Sequence, residues 1–198
     1  MSAGGVLRAV AVVGSPRLNG NTVRVVDEVL AELGRRAVEC DKIMLGEQRI
    51  APCRGHVTCK GLDACLLDDD AAAVLDRVYR ADCLILASPV YYEDVSAQMK
   101  TFIDRNAYYF YRDAWLRARA VGLIAVTKVT GIEETLATMR RYVTLSTTGE
   151  VPVFTLGGYA GDPGDAAAQP ELLAAARGLA ADLAGALGLS AAAIPGSQ

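Results

Sequence analysis

The chain reads as an α/β protein: a three-layer, doubly wound domain around a five-stranded parallel sheet, with strand order 2-1-3-4-5. Three observations predict this. Short apolar runs alternate with helical patterns from one end of the sequence to the other. The runs are rich in Val, Ile and Leu and apolar on both faces, as strands covered by helices on either side must be. The loops after the first and third runs both carry the polar, Gly- and Pro-containing sequence of a binding loop. That pairing is expected where a doubly wound sheet reverses direction between strands 1 and 3.

The elements follow in order. Residues 6–13 form the first strand, ending in Ala9-Val10-Ala11-Val12-Val13. A helix fits 22–34, because Val23, Val26, Val29, Leu30 and Leu33 share one face and Arg24, Asp27, Glu28 and Glu32 the other. Gly34 is expected to stop it. Residues 38–45 read as the second strand, followed by a cysteine-bearing insertion at about 50–67. Further strands fit 82–88, 120–127 and 151–156, and further helices 69–80, 95–106, 131–146 and 170–188. Pro170 begins the last helix, since its missing N–H costs nothing in a first turn. The Gly/Asp/Pro segment 157–168 spans the last strand and helix. With no internal repeat, residues 1–198 are expected to be one domain.

Composition narrows the function. A net charge of −3 and a pI near 5.2 argue against nucleic acid as a partner. No stretch of about 18 residues lacks charge, so no membrane span is expected. Met1-Ser2-Ala3-Gly4-Gly5 lacks the basic segment of a signal peptide, which points to the cytoplasm. There the five Cys are expected to be reduced, buried or metal-bound.

The loop Gly14-Ser15-Pro16-Arg17-Leu18-Asn19-Gly20-Asn21-Thr22 joins the first strand to the first helix. Unpaired N–H groups and the positive end of the helix dipole make such a place an anion site. Ser15, Arg17, Asn19, Asn21 and Thr22 add side-chain donors, a set suited to a terminal phosphate. Neither a G-x-G-x-x-G spacing nor a G-K-[ST] is present, so a dinucleotide pyrophosphate and a nucleoside triphosphate are both disfavoured. The plain alternative is a polar turn with one capping residue, which needs fewer donors than this loop supplies. After the third strand comes Ser88-Pro89-Val90-Tyr91-Tyr92-Glu93-Asp94. Pro89 holds Ser88 extended, and Pro89, Val90, Tyr91 and Tyr92 offer a surface for a flat ring. The ligand implied is a planar aromatic group bearing one phosphate.

These two loops, with Met99-Lys100-x-Phe102-Ile103-Asp104-Arg105, resemble the NAD(P)H-dependent FMN reductase superfamily of flavodoxin-like proteins. The iron–sulfur flavoprotein branch is the nearest in pattern. The resemblance implies FMN, its phosphate held by Ser15, Arg17, Asn19, Asn21 and Thr22 and its ring against Pro89, Val90, Tyr91 and Tyr92. It also implies a homodimer or homotetramer in which a neighbouring subunit helps complete the flavin site. The chain departs from the family pattern in two places. Glu93-Asp94 stands where relatives often have Gly-Ser, and Thr127-Lys128-Val129-Thr130-Gly131 replaces a glycine-rich loop. Both changes reshape the space above the ring. Lys128 either places a positive charge near a reduced anionic ring or is a solvated surface residue.

Pro52-Cys53-Arg54-Gly55-His56-Val57-Thr58-Cys59-Lys60-Gly61-Leu62-Asp63-Ala64-Cys65 has the spacing C-x2-H-x2-C-x5-C. The iron–sulfur branch carries C-x2-C-x2-C-x(4–7)-C here, ligating a [4Fe–4S] cluster. Cys53, Cys59 and Cys65 match it, and His56, the one His in the chain, stands at the remaining position. Three readings are open: a [4Fe–4S] cluster with one imidazole ligand, a tetrahedral Zn²⁺ site, or a loop without metal. Cys40 and Cys83 lie in or beside apolar strands and are read as buried thiols.

The resemblance implies an FMN-dependent oxidoreductase that passes hydride or electrons through flavin N5 between a small organic substrate or NAD(P)H and an acceptor. One version is a general NAD(P)H-driven reductase; another is a biosynthetic dehydrogenase of a small cyclic substrate. A flavodoxin-type electron carrier between proteins is the alternative, and a zinc-stabilised binding module without redox function a third. Tyr91, Tyr92 and Lys128 are acid–base candidates by position alone. Tyr108-Tyr109-Phe110-Tyr111 and Trp115 are read as core or subunit packing.

Overall fold

Apolar residues at alternate positions of the first strand point to opposite sides, so one strand feeds two cores. In the computed structural model, which describes residues 6–56, 59–62 and 64–189, β1 (Arg8–Val13) does this. Ala9, Ala11 and Val13 enter one cluster, and Val10 and Val12 the other. The chain continues through α1 (Asn21–Gly34), β2 (Glu39–Met44), α2 (Ala71–Tyr79), β3 (Cys83–Tyr91), β4 (Asp94–Val95), α3 (Ala97–Arg105) and α4 (Ala107–Phe110). It ends with β5 (Ala120–Thr127), α5 (Ile132–Ser146), β6 (Val153–Tyr159) and α6 (Pro170–Ala186).

The sheet runs β2-β1-β3-β5-β6, all parallel, and the short β4 pairs antiparallel with β3. Counting only the parallel strands, this is the expected order 2-1-3-4-5, a three-layer flavodoxin-like fold. Helices α1 and α6 pack on one face through Val25, Val26, Val29, Leu33, Leu179 and Leu183. Helices α2, α3 and α5 cover the other with Val74, Val78, Met99, Phe102, Met139 and Val143. The reversal of direction falls between β1 and β3, so their carboxyl ends open side by side onto one crevice.

Four details differ from the sequence reading. β3 continues past residue 88 to Tyr91 and turns back into β4, because the tip of the third loop is itself a hairpin. α4 is a separate short helix beyond α3. The last strand runs on through Gly157 and Gly158, where a Cβ would stand 2.7 Å from Ile132 and 2.9 Å from Leu172. Those glycines read as loop in the sequence and are in fact a strand pressed against two helices. Finally, Gly34 is the last residue of α1, not its stop. The left-handed residue is Ala37, φ 61°; its N–H bonds Gly34 O and the Val38 N–H bonds Leu33 O. This is a Schellman closure built on an alanine. No helix among the described residues is long and apolar enough to cross a membrane.

Candidate functional site

The crevice is held together by a serine that the sequence reading passed over. Ser96 caps α3, its Oγ accepting from Met99 N at 3.2 Å. The same hydroxyl donates to Gly14 O at 2.7 Å, and Ser96 N donates to Ser88 Oγ at 2.9 Å. Gly14 N in turn donates to Ala87 O at 2.7 Å. One buried N-cap thus fastens the ends of β1 and β3 to each other. Gly14 has no room for a side chain, since a Cβ would lie 2.7 Å from Ser96 Oγ and 2.9 Å from Met99 Cβ. A serine directly before a helical pattern was the signal available for finding it.

Beyond Gly14 the first loop turns around Ser15, which is buried. Its Oγ accepts from Arg17 N at 3.1 Å and donates to Arg17 O at 3.2 Å, so the hydroxyl shapes the loop. Arg17 and Asn19 are exposed, and Thr22 is buried in the first turn of α1. Gly20 is the N-cap of that helix and gives it no side-chain capping bond. The first turn therefore keeps its N–H groups for another acceptor. Asn21 is committed elsewhere: its Nδ2 donates to Asp162 O at 2.9 Å, and its Oδ1 accepts from Ala166 N at 3.2 Å. It fixes the segment after β6 as a wall of the crevice.

The result is a cleft of about 180 Å³. Ser15, Arg17, Asn21 and Thr22 stand along it, with Pro89, Val90 and Tyr91 from the third loop and Thr127, Lys128 and Gly161 from the loops after β5 and β6. Seven of the nine residues expected at the cofactor site are brought together here. Asn19 and Tyr92 are not among its lining. Tyr92 is fully exposed at the tip of the β3–β4 hairpin, where it and Glu93 both adopt left-handed backbone, φ 50° and 62°. With Tyr91 paired to Asp94, this is the two-residue turn that ordinarily takes Asn-Gly.

That hairpin is locked to the loop after β5. Thr130 Oγ1 donates to Glu93 Oε1 at 3.1 Å, and Thr127 Oγ1 to Thr130 O at 2.7 Å. Gly131, φ 87°, sits where a Cβ would be 2.6 Å from Glu93 Cα. The two stretches that depart from the family pattern therefore pack on one another. Lys128 lays its stem over Gly161 and brings its ammonium to 3.4 Å from Asp162 Oδ1. Arg17, Lys128 and the uncapped turn of α1 make this an electropositive, donor-rich cleft with an apolar and aromatic wall.

The cysteine segment lies at the far end of α3, against Arg105. Cys53 is exposed, its Sγ accepting from Gly55 N at 3.4 Å; Cys59 is buried and donates to His56 O at 3.3 Å. Cys65, half-buried, accepts from the Arg105 guanidinium at 3.4 Å. Among the described residues no three His, Cys, Asp or Glu side chains are grouped to hold a metal ion. The donors suit a soft metal chemically, but the described arrangement does not assemble Cys53, His56, Cys59 and Cys65 as one ligand set. Val57, Thr58 and Asp63 fall outside the described residues. Arg105, which closes the third motif of the family resemblance, pairs at 2.5 Å beside this loop with Asp69, which the sequence reading passed over; the side chains are 3% and 8% exposed. Burial by itself would raise the Asp69 carboxyl, but Arg105 and the N–H groups of Ala51 and Ala71 outweigh it and hold it below its usual range.

Comparison with known proteins speaks to the family and the fold. A family model described as NADPH-dependent FMN reductase matches residues 7–159. An iron–sulfur flavoprotein of Archaeoglobus fulgidus is 38% identical over 159 residues, 80% of this chain and 71% of the relative. An iron–sulfur flavoprotein of Methanocaldococcus jannaschii is 37% identical over 100 residues, which is 50% of this chain and 52% of the relative. The match thus spans only about half of that second protein. Among solved structures, RosB with its bound intermediate 8-demethyl-8-formylriboflavin-5'-phosphate superposes with a TM-score of 0.72 at 14% identity, covering 92% of this chain and 81% of the other. That likeness speaks to the fold.

Proposed function

Since the chain belongs to the NADPH-dependent FMN reductase family, we propose that it is an FMN-dependent oxidoreductase whose cofactor occupies the cleft between β1 and β3. The observation that carries this reading is the pairing of an uncapped helix start at Gly20 with the Pro89–Tyr91 wall in one cleft. When bound, FMN supplies hydride and electron transfer through its N5. The α1 N–H groups, Arg17, Asn19 and Thr22 would hold the phosphate. Ser15 shapes that loop, and Asn21 braces the wall behind it. Pro89, Val90 and Tyr91 would take the ring, leaving Tyr92 at the edge of the site. Lys128, already shared with Asp162, adds positive charge at the cleft without being committed to proton transfer.

The other reactants are a small organic substrate or NAD(P)H on one side and an acceptor on the other, handled by a homodimer or homotetramer. The cysteine segment is proposed as a metal site on the chemistry of three thiols and one imidazole, with a [4Fe–4S] cluster placed ahead of Zn²⁺ because the relatives are named iron–sulfur flavoproteins. No step of the reaction is assigned to it. The direct test is anaerobic purification followed by an absorbance spectrum, FMN titration, iron, sulfide and zinc assays, and mixing with NADH or NADPH. Bound or bindable FMN that is bleached by a nicotinamide or a small substrate supports the oxidoreductase. Bleaching only by reduced proteins favours an electron carrier, and no uptake of FMN rejects the reading.

A further inference from the structure

The cysteine loop has two feet, and both are tied by groups that are neither Cys nor His. On one side stand Arg49 and Ala51, on the other Asp69, Asp70 and Ala71. Arg49 N donates to Asp70 Oδ2 at 2.6 Å, and Asp70 N donates back to Arg49 O at 3.0 Å. Asp69 Oδ2 accepts from Ala51 N at 2.9 Å and its Oδ1 from Ala71 N at 3.1 Å. Arg105, the last residue of α3, completes the closure. Its Nη1 donates to Asp69 Oδ2 at 2.5 Å and to Ala51 O at 2.9 Å, and its Nη2 to Cys65 Sγ at 3.4 Å.

We infer that Arg105, braced by Asp69, is the positioning residue of the cysteine loop, closing its feet without any metal and holding the Cys65 sulfur inward. Three features carry this. Every acceptor that Arg105 meets belongs to the loop or to its feet. The pair is buried, where an ion pair survives only when its remaining donors and acceptors are also satisfied, as they are here by Ala51, Ala71 and Cys65. The geometry needs a fork: one nitrogen serves the feet while the other reaches the sulfur, which a lysine ammonium does not reproduce. Since α3 is capped by Ser96, which joins the ends of β1 and β3, and ends at Arg105, the same helix sets both places.

The significance for metal binding rests on the metal reading proposed above; the closure itself does not. The test uses wild type, Arg105→Lys and Asp69→Asn, each stripped of metal by a chelator and reloaded with FMN. Amide hydrogen exchange is followed in peptides covering 49–52 and 69–72, with peptides from β1 and β5 as controls. In both variants exchange at the feet is expected to speed up at least tenfold more than exchange in the controls, which report the global stability. Maleimide labelling of Cys65 is expected to speed up in both, with Cys53 unchanged. Titration of the metal-free proteins with Zn²⁺ is then expected to show at least tenfold weaker binding in both variants, although no candidate ligand has changed. Unaltered exchange at the feet in Arg105→Lys overturns the inference. If wild type takes up neither zinc nor iron, the metal reading fails, and the exchange data still decide the closure.

Discussion

Arg17 and Gly14 lie three residues apart and have opposite kinds of importance. Arg17 is exposed on the loop and spends no side-chain bond on the fold among the described residues, so its guanidinium is available to a ligand. Arg17→Ala is expected to weaken FMN binding by about 1.5–3 kcal/mol, the worth of a hydrogen bond to a charged group. Fluorescence titration checks this, with the unfolding midpoint of the FMN-free protein unchanged. Gly14→Ala acts through the fold. Its Cβ would press on Ser96 Oγ and Met99 Cβ, and overpacking of this kind costs about 1–3 kcal/mol. A urea unfolding curve should show the loss, and FMN affinity should fall with it because the displaced contact joins both loops. Ser15 and Asn21 show what a sequence withholds at this scale. Their residue types suit phosphate binding, but a donor's partner depends on segments as distant as Asp162 and Ala166.

Elements inherit their boundaries from backbone geometry that composition only partly reveals. α6 closes with Gly188 at φ 80°, whereas α1 uses Ala37 at φ 61° for the same bond pattern. A left-handed alanine is strained by roughly 1–2 kcal/mol, offset in a glycine by about 0.5–1 kcal/mol of extra chain entropy. Ala37→Gly is therefore expected to stabilise the protein by about 0.5–1 kcal/mol, visible as a raised thermal midpoint. The hairpin tip carries the same strain twice, at Tyr92 and Glu93. Replacing the pair by Asn-Gly is expected to add about 1–2 kcal/mol of stability while releasing Thr130 from Glu93. If substrate turnover then changes while FMN affinity holds, the strained tip shapes the rim above the ring. The helix and strand periods were legible because burial on one or two faces imposes them. Ala37 was not, since nothing in its side chain announces a positive φ.

For the molecule as a whole, pairing of one buried carboxylate and burial of a thiol and a phenol make stability depend on pH. The Asp69 carboxyl is held below its usual range in the folded state. Its contribution is therefore present above the ordinary carboxylate pKa and is lost as pH falls through the folded value. Acid unfolding should steepen below about pH 4, and Asp69→Asn should flatten that limb. The variant should also cost about 3–5 kcal/mol at neutral pH by stranding the buried Arg105. At the other end, burial pushes the Cys83 thiol and the Tyr79 phenol up to about 12 each. Both are neutral in the fold and ionise first in the unfolded chain, so stability is full below the ordinary thiol pKa and declines as pH rises toward 12. Cys83→Ala should blunt the onset of alkaline unfolding, followed by circular dichroism against pH.

Alternation of apolar runs and helical faces was enough to specify a doubly wound sheet, its strand order and the two loops that meet at its reversal point. Such patterns are local consequences of burial, repeated along the chain, and they can be read without knowing which segments touch. The closures were decided by the tertiary structure: Ser96 joining the ends of β1 and β3, Asn21 turned toward the segment after β6, Glu93 locked to Thr130, and Arg105 with Asp69 fastening the cysteine loop. Each joins groups far apart in sequence, and a hydrogen-bond donor carries no record of its acceptor until the backbone has brought the two within reach.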